Sequence, residues 1–181
     1  MRLKFINRLA ELERLKRAIR RPTSGLLCLY GRRRLGKSRL IQQVLQDYKS
    51  SVYYVADERD STLQRTSVAK EMASAVPGFD QVVYPDWESL FERWWNNAPK
   101  DAILVLDEFP FLVRTAPEIP SLLQKLVDRL TEPARTLFLC GSSQRMMQGL
   151  LLDSSEPLYG RAQEILRLTP LGLEQIGRAH V

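Results

Sequence analysis

One histidine, two cysteines and no uncharged apolar run near the ~20 residues that span a bilayer narrow the classes of function open to this 181-residue chain. A disulfide scaffold or a zinc site needs cysteines, alone or with histidines, at set spacings. Cys28 and Cys140 instead lie singly inside apolar segments, where a thiol behaves as a small hydrophobe. Met1-Arg2-Leu3-Lys4-Phe5 lacks the apolar core of a signal peptide, so no membrane association and a cytoplasmic location are expected. There is no internal repeat and no low-complexity linker. The single histidine, His180, lies in Ile176-Gly177-Arg178-Ala179-His180-Val181, a string that matches the frame translation of a common sequencing adapter. Residues 1–175 are therefore expected to form one domain, cut short at its C-terminal end, and 176–181 to be a cloning scar in which His180 has no catalytic weight.

Composition is that of a soluble globule, with 44% apolar and 27% charged residues, enough to bury a core in one α/β domain. The net charge of +6 is unevenly placed. Met1 to Arg39 holds thirteen Lys/Arg against two Glu, leaving the remainder acidic at −5. Some of this excess belongs with an anionic ligand, and some lies on one helical stretch as Arg14, Lys16, Arg17, Arg20 and Arg21. The latter can meet DNA or an acidic protein partner, or simply form a solvated helix face.

The feature that organises the rest is Gly31-Arg32-Arg33-Arg34-Leu35-Gly36-Lys37-Ser38, which spells GxxxxGK[ST] between an apolar strand, Leu26 to Tyr30, and an amphipathic helix. In this helix Leu40, Ile41, Val44, Leu45 and Tyr48 share one face. Glycine in such a loop permits positive φ and close backbone approach, so that amide groups and a helix N-terminus converge on phosphate oxygens. Gly31 through Ser38, with Arg39, are thus candidates for binding a nucleoside triphosphate. Lys37 would neutralise the β- and γ-phosphates, and the Ser38 hydroxyl would ligate Mg²⁺.

Elsewhere, Asn7 is placed to cap a helix with Leu9, Leu12, Leu15 and Ile19 inward, ending before Pro22. Ser51 to Val55 reads as a strand and Leu63 to Val76 as a helix. Asp86 would cap a helix with Trp87, Leu90, Phe91, Trp94, Trp95 and Ala98 on one stripe, its tryptophans serving core packing or, alternatively, base stacking. Ile119 to Leu130 reads as a helix, Thr136 to Cys140 as a buried strand, Gln144 to Leu151 as a helix and Glu164 to Leu168 as a fifth strand. Alternating strands and helices imply right-handed crossovers and a parallel sheet covered on both faces.

Ala102 to Leu106 is the most apolar strand, and it ends in Asp107-Glu108. A carboxylate at that tip can hold Mg²⁺ through its water shell, which falls to Asp107. The next residue, Glu108, can reach the attacking water as general base. Ser142 and Ser143 close the following strand; one hydroxyl can sense the γ-phosphate or the attacking water, while the other caps a helix. Arg161 is the candidate for neutralising transition-state charge, in cis or on a neighbouring subunit of a homo-oligomer, its alternative being an ordinary surface arginine.

Together these blocks resemble the archaeal-type ATPase family, a branch of the ASCE P-loop NTPases related to AAA+ and STAND proteins. Phe5-Ile6-Asn7-Arg8-Leu9-Ala10-Glu11-Leu12 is similar to the family's opening segment, with Asn7 in place of a glycine and Leu9 in place of an acid. The triple arginine, Leu106-Asp107-Glu108-Phe109-Pro110, Cys140-Gly141-Ser142-Ser143, Leu158-Tyr159-Gly160-Arg161 and Leu168-Thr169-Pro170-Leu171 are similar to its other blocks. The resemblance implies a three-layer P-loop fold whose five strands run in the order 5-1-4-3-2. It also implies ATP with Mg²⁺, and either hydrolysis coupled to a C-terminal region or a STAND-like nucleotide switch with negligible turnover of its own. A small-molecule kinase fits less well, because an adjacent Asp-Glu pair suits water activation.

Overall fold

The computed structural model describes residues 8–129 and 134–170; Asn7, Leu130, Leu171 and the expected scar at 176–181 lie outside the described residues. The three strands with unbroken apolar interiors, β1 (Gly25–Tyr30), β3 (Ile103–Asp107) and β4 (Thr136–Gly141), occupy the middle of one sheet. Such strands can be buried on both faces, whereas β2 (Ser51–Val55) and β5 (Ala162–Arg167) carry polar positions and take the edges. The order is β2-β3-β4-β1-β5 and every pairing is parallel, which is the order implied by the family resemblance.

Register sorts the side chains into two cores. Tyr53 lies opposite Val105, Val105 opposite Phe138, and Phe138 opposite Leu27, so all four point to the face covered by α1 (Leu9–Ile19) and α2 (Lys37–Leu45). The other face packs on α3 (Ser61–Met72), α4 (Trp87–Asn97), α5 (Phe109–Thr115), α6 (Ile119–Asp128) and α7 (Gln144–Leu152). Three layers result. Trp87, Trp94 and Trp95 are each no more than 2% exposed, which leaves none of them as a stacking platform for bases. Truncating one to alanine would cost about 3–5 kcal/mol, a large share of a domain's stability.

Local chemistry places the helix starts. The Asp60, Asp86 and Ser143 side chains accept from the amides of Leu63, Ser89 and Met146 respectively. For α1 the capping residue is Arg8, in the left-handed region at φ 70°, with no side-chain cap. The third helix differs from the sequence reading of 63–76: it runs from Ser61 to Met72, and Gln64 is among its buried residues. Gln64, Val68 and Met72 recur every four residues, and the buried amide is fully engaged. It accepts from the Tyr54 hydroxyl and the Asp57 amide, and donates to the Arg59 carbonyl and the Thr115 hydroxyl. It thereby pins the loop after β2 to α5.

Three carboxylates are held by contacts that the unfolded chain lacks. The Arg129 guanidinium, just past α6, grips Glu92 of α4 and lowers its pKa; capping bonds from Ser89 and Ser155 do the same for Asp86 and Asp153. A group whose folded pKa is depressed stabilises the fold above its unfolded value and loses that contribution as pH falls. The thermal midpoint is therefore expected to hold from neutrality to about pH 4.5 and then decline. A Glu92→Gln variant, followed by circular dichroism, should start lower at neutral pH and lose less between pH 4.5 and 3.

Candidate functional site

Because every strand is parallel, the loops after β1, β2, β3 and β4 gather at one edge of the sheet. Tyr30 lies opposite Gly141, so the 31–36 loop and the Ser142-Ser143 turn leave side by side. The two glycines of the loop serve different ends. A Cβ on Gly31 would stand 2.6 Å from the Leu168 carbonyl oxygen, whereas Gly36 faces open space but sits at φ +85°, where it caps α2. Arg34 is also left-handed, at φ 65°. Arg32, Arg33, Arg34 and Arg39 are exposed, and Leu35 packs partly on the α2 face of the sheet.

Lys37 opens α2 with its side chain folded back under the loop, 6% exposed. Its ammonium donates to the carbonyls of Gly31 (2.8 Å) and Arg32 (3.1 Å) and to the Ser142 hydroxyl (3.1 Å). Among the described residues no carboxylate comes within 4.0 Å of it. Ser142 in turn donates its hydroxyl to Glu108 Oε1 and its amide to Oε2 (3.1 Å), so Lys37, Ser142 and Glu108 form a chain. Glu108 itself is left-handed at φ 52° and starts α5. Ser143 stands apart as the cap of α7, one of the two tasks considered for the serines.

Asp107, 3% exposed, accepts from the Ser38 hydroxyl (3.1 Å) and from the Tyr53 hydroxyl on Oδ2, and from the Glu108 amide on Oδ1 (2.8 Å). A hydroxyl and a carboxylate meeting in this way are hard oxygen donors that suit Mg²⁺, a cation which takes its remaining ligands from phosphates and water. Among the described residues there is no cluster of three or more His, Cys, Asp or Glu that would point to an all-protein metal cage.

Tyr53 was not legible as part of this constellation. Its partner across the strands is Val105, and Asp107 lies two residues further on the same face, a diagonal that only a long aromatic side chain spans. Burial, and then the bond to Asp107, push the Tyr53 phenol well above its ordinary pKa. Cys140 also approaches Asp107; burial first, and the carboxylate second, raise its pKa. Arg161 is not brought here within one chain. It precedes Ala162, which lies opposite Leu26 near the start of β1, ~13 Å of strand below Tyr30, and its guanidinium binds Asp128 at 2.8 Å.

The contrast between the glycines is testable. Gly31→Ala should cost about 1–3 kcal/mol by overpacking and should speed hydrogen exchange at the Leu168 amide, which donates to the Tyr30 carbonyl. Gly36→Ala should cost about 1–2 kcal/mol through its left-handed φ and leave Leu168 protected. Urea midpoints with exchange mass spectrometry read both.

Comparison with known proteins bears on family and fold. Residues 5–177 match the profile of a family described as an ATPase domain predominantly from Archaea. An uncharacterized protein of Methanocaldococcus jannaschii is 33% identical over 173 residues, 95% of this chain and 37% of the relative, so the chain spans less than two fifths of that protein's length. A protein of the same organism described as ATP-binding is 47% identical over 45 residues, 25% of this chain and 76% of that protein. Among solved structures, the Aeropyrum pernix ORC1 protein in complex with DNA superposes with a TM-score of 0.65 at 21% identity, covering 98% of this chain and 50% of the other. Drosophila ORC bound to DNA gives 0.59 at 14%, covering 98% and 47%. At those identities the likeness is one of fold. The family match runs through nearly all of the sequence, and the chain belongs to the family of ATPase domains found predominantly in Archaea.

Proposed function

We propose that this module binds Mg·ATP at the 31–38 loop and hydrolyses it at the phosphoric anhydride. The observation that carries the reading is the Lys37 ammonium, nearly buried and without a carboxylate counter-charge among the described residues. A cation so placed favours an anion, and the N-terminus of α2 adds its own positive potential at the same point. The loop amides of Gly31 to Ser38 would cradle the phosphate tail, with Arg32 to Arg34 and Arg39 supplying further positive charge around it.

Ser38 and Asp107 would hold Mg²⁺, which when bound neutralises phosphate charge. Tyr53 would keep Asp107 aimed at it. Glu108 would take the proton of the attacking water as the bond to the leaving ADP breaks. Ser142 links Lys37 to Glu108, so an anion that draws the ammonium toward itself would also alter the grip on the carboxylate. This gives the γ-phosphate a route to release the base.

That same grip favours a second reading, a nucleotide switch that turns over slowly on its own, since both Glu108 oxygens are engaged by Ser142. In either case the output would pass to a further region of a longer protein; the stretch this chain matches is 37% of the Methanocaldococcus relative. Arg161 remains a candidate only for action on a neighbouring copy. A DNA partner is suggested by the basic N-terminal third and by the DNA present with the ORC1 structure.

Calorimetry and phosphate release separate these readings. Lys37→Ala should weaken Mg·ATP binding at least about tenfold. Glu108→Gln should keep binding while lowering turnover about 10²–10⁴-fold. Tight binding without turnover in the full-length wild type would select the switch, and no affinity for Mg·ATP would overturn both.

A further inference from the structure

We propose that the opposite edge of the sheet holds a second anion site, a basic cleft that takes the phosphate backbone of duplex nucleic acid. The argument begins with what the structure does to the basic residues of α1. Arg14 is paired with Glu164 of β5 at 2.5 Å, and Lys16 with Asp47 at 2.6 Å. These two hold α1 to the domain. Arg20 and Arg21, at the end of the helix, have no ion pair among the described residues and open onto a cleft of about 1020 Å³.

Lys49, just before β2, and Lys100, just before β3, line the same cleft and are likewise without an ion pair among the described residues. In the sequence these cations are far apart. They meet because all strands of a parallel sheet start at one edge, and Arg20, Lys49 and Lys100 each sit shortly before a strand start. Among the described residues two carboxylates, Asp47 and Asp101, also line the cleft, but Asp47 is spent on Lys16, so positive charge dominates among them. Tyr48 lines the cleft together with Arg20.

Helix C-termini attract cations, and the end of α1 accounts in part for Arg20. Lys49 and Lys100 lie four and three residues past the last residues of α2 and α4, where that attraction has fallen off. Ile19, Pro22 and Tyr48 line the cleft, but the unpaired cations and the lack of a large exposed apolar side chain among its described residues favour nucleic acid over an acidic protein. None of the large exposed hydrophobics, Leu9, Val55, Leu63, Val82, Val83, Leu152 and Tyr159, lines the cleft, whereas protein interfaces rest on buried apolar or aromatic anchors. Phosphate contacts need only Lys and Arg. The six residues of β1, ~20 Å of strand, separate the cleft from the 31–38 loop, so the two sites can be filled together and tested apart.

The test is anisotropy of a labelled duplex DNA against salt, using the full chain and an Arg21→Gln/Lys49→Gln/Lys100→Gln variant. Each lost phosphate contact flattens the log–log salt slope by about 0.9, so wild type should lose about 40-fold more affinity than the variant between 50 and 200 mM salt. Mg·ATP affinity and the thermal midpoint should not change. If the triple variant does not fold, Lys49→Gln alone should flatten the slope by about 0.9. Equal slopes in wild type and variants, no duplex affinity in wild type at 50 mM salt, or binding of polyglutamate in place of DNA would each overturn the proposal. Loss of Mg·ATP binding in wild type, with the salt effect intact, would instead remove the nucleotide reading and leave the cleft standing.

Discussion

The ammonium of Lys37 sits at the junction of a buried strand end and a helix start, where no carboxylate among the described residues neutralises it. Two carbonyls and a hydroxyl satisfy its three hydrogens without cancelling its charge. Much of the local architecture accommodates that one cation. The loop must double back over it, which asks Gly31 to pass under the Leu168 carbonyl and Gly36 to adopt a positive φ. The tip of β4 must bring Ser142 to it, and Ser142 in turn fixes Glu108. Unpaired buried charge is expensive, and it persists where a ligand completes it.

The polarity of the sheet makes such a site attainable. Parallel strands place all their C-terminal ends, and the helix N-termini that follow them, at one edge. Carboxylates, hydroxyls and amides from β1, β3 and β4 then converge without any of the loops needing to be long. The same polarity gathers helix C-termini and strand starts at the far edge, where the cations of α1 not used in pairing to Glu164 and Asp47 meet Lys49 and Lys100. Among the described residues, much of the basic excess of the first 39 residues is thus divided by the fold into three parts: Arg32 to Arg34, Lys37 and Arg39 at the 31–38 loop and the start of α2, Arg14 and Lys16 paired to Glu164 and Asp47, and Arg20 and Arg21 at the far cleft.

Central strands and the tryptophan helix were legible because burial on both faces, or on one helical stripe, leaves a periodicity that few other structures share. The inward position of Gln64 was not, since a polar amide adds nothing to a hydrophobic pattern, and only the four partners of that amide explain its burial. Short α5 was hidden for a related reason: seven residues beginning Phe-Pro are too few for a helical period to register. Arg161 stood out by its neighbours in sequence, yet strand register carries it to the end of the sheet away from the loop.

From sequence alone came the glycine-flanked 31–38 loop between strand and helix, the acidic pair that ends β3 and the layered α/β class, because each depends on spacing along the chain: glycines at fixed separation, a charge directly after an apolar run, helices alternating with strands. Which serine meets Glu108, that Tyr53 reaches Asp107, and that four scattered cations share one cleft were decided only by the tertiary structure. Those are distances between segments remote in sequence, set by strand order and register, and no local pattern encodes them.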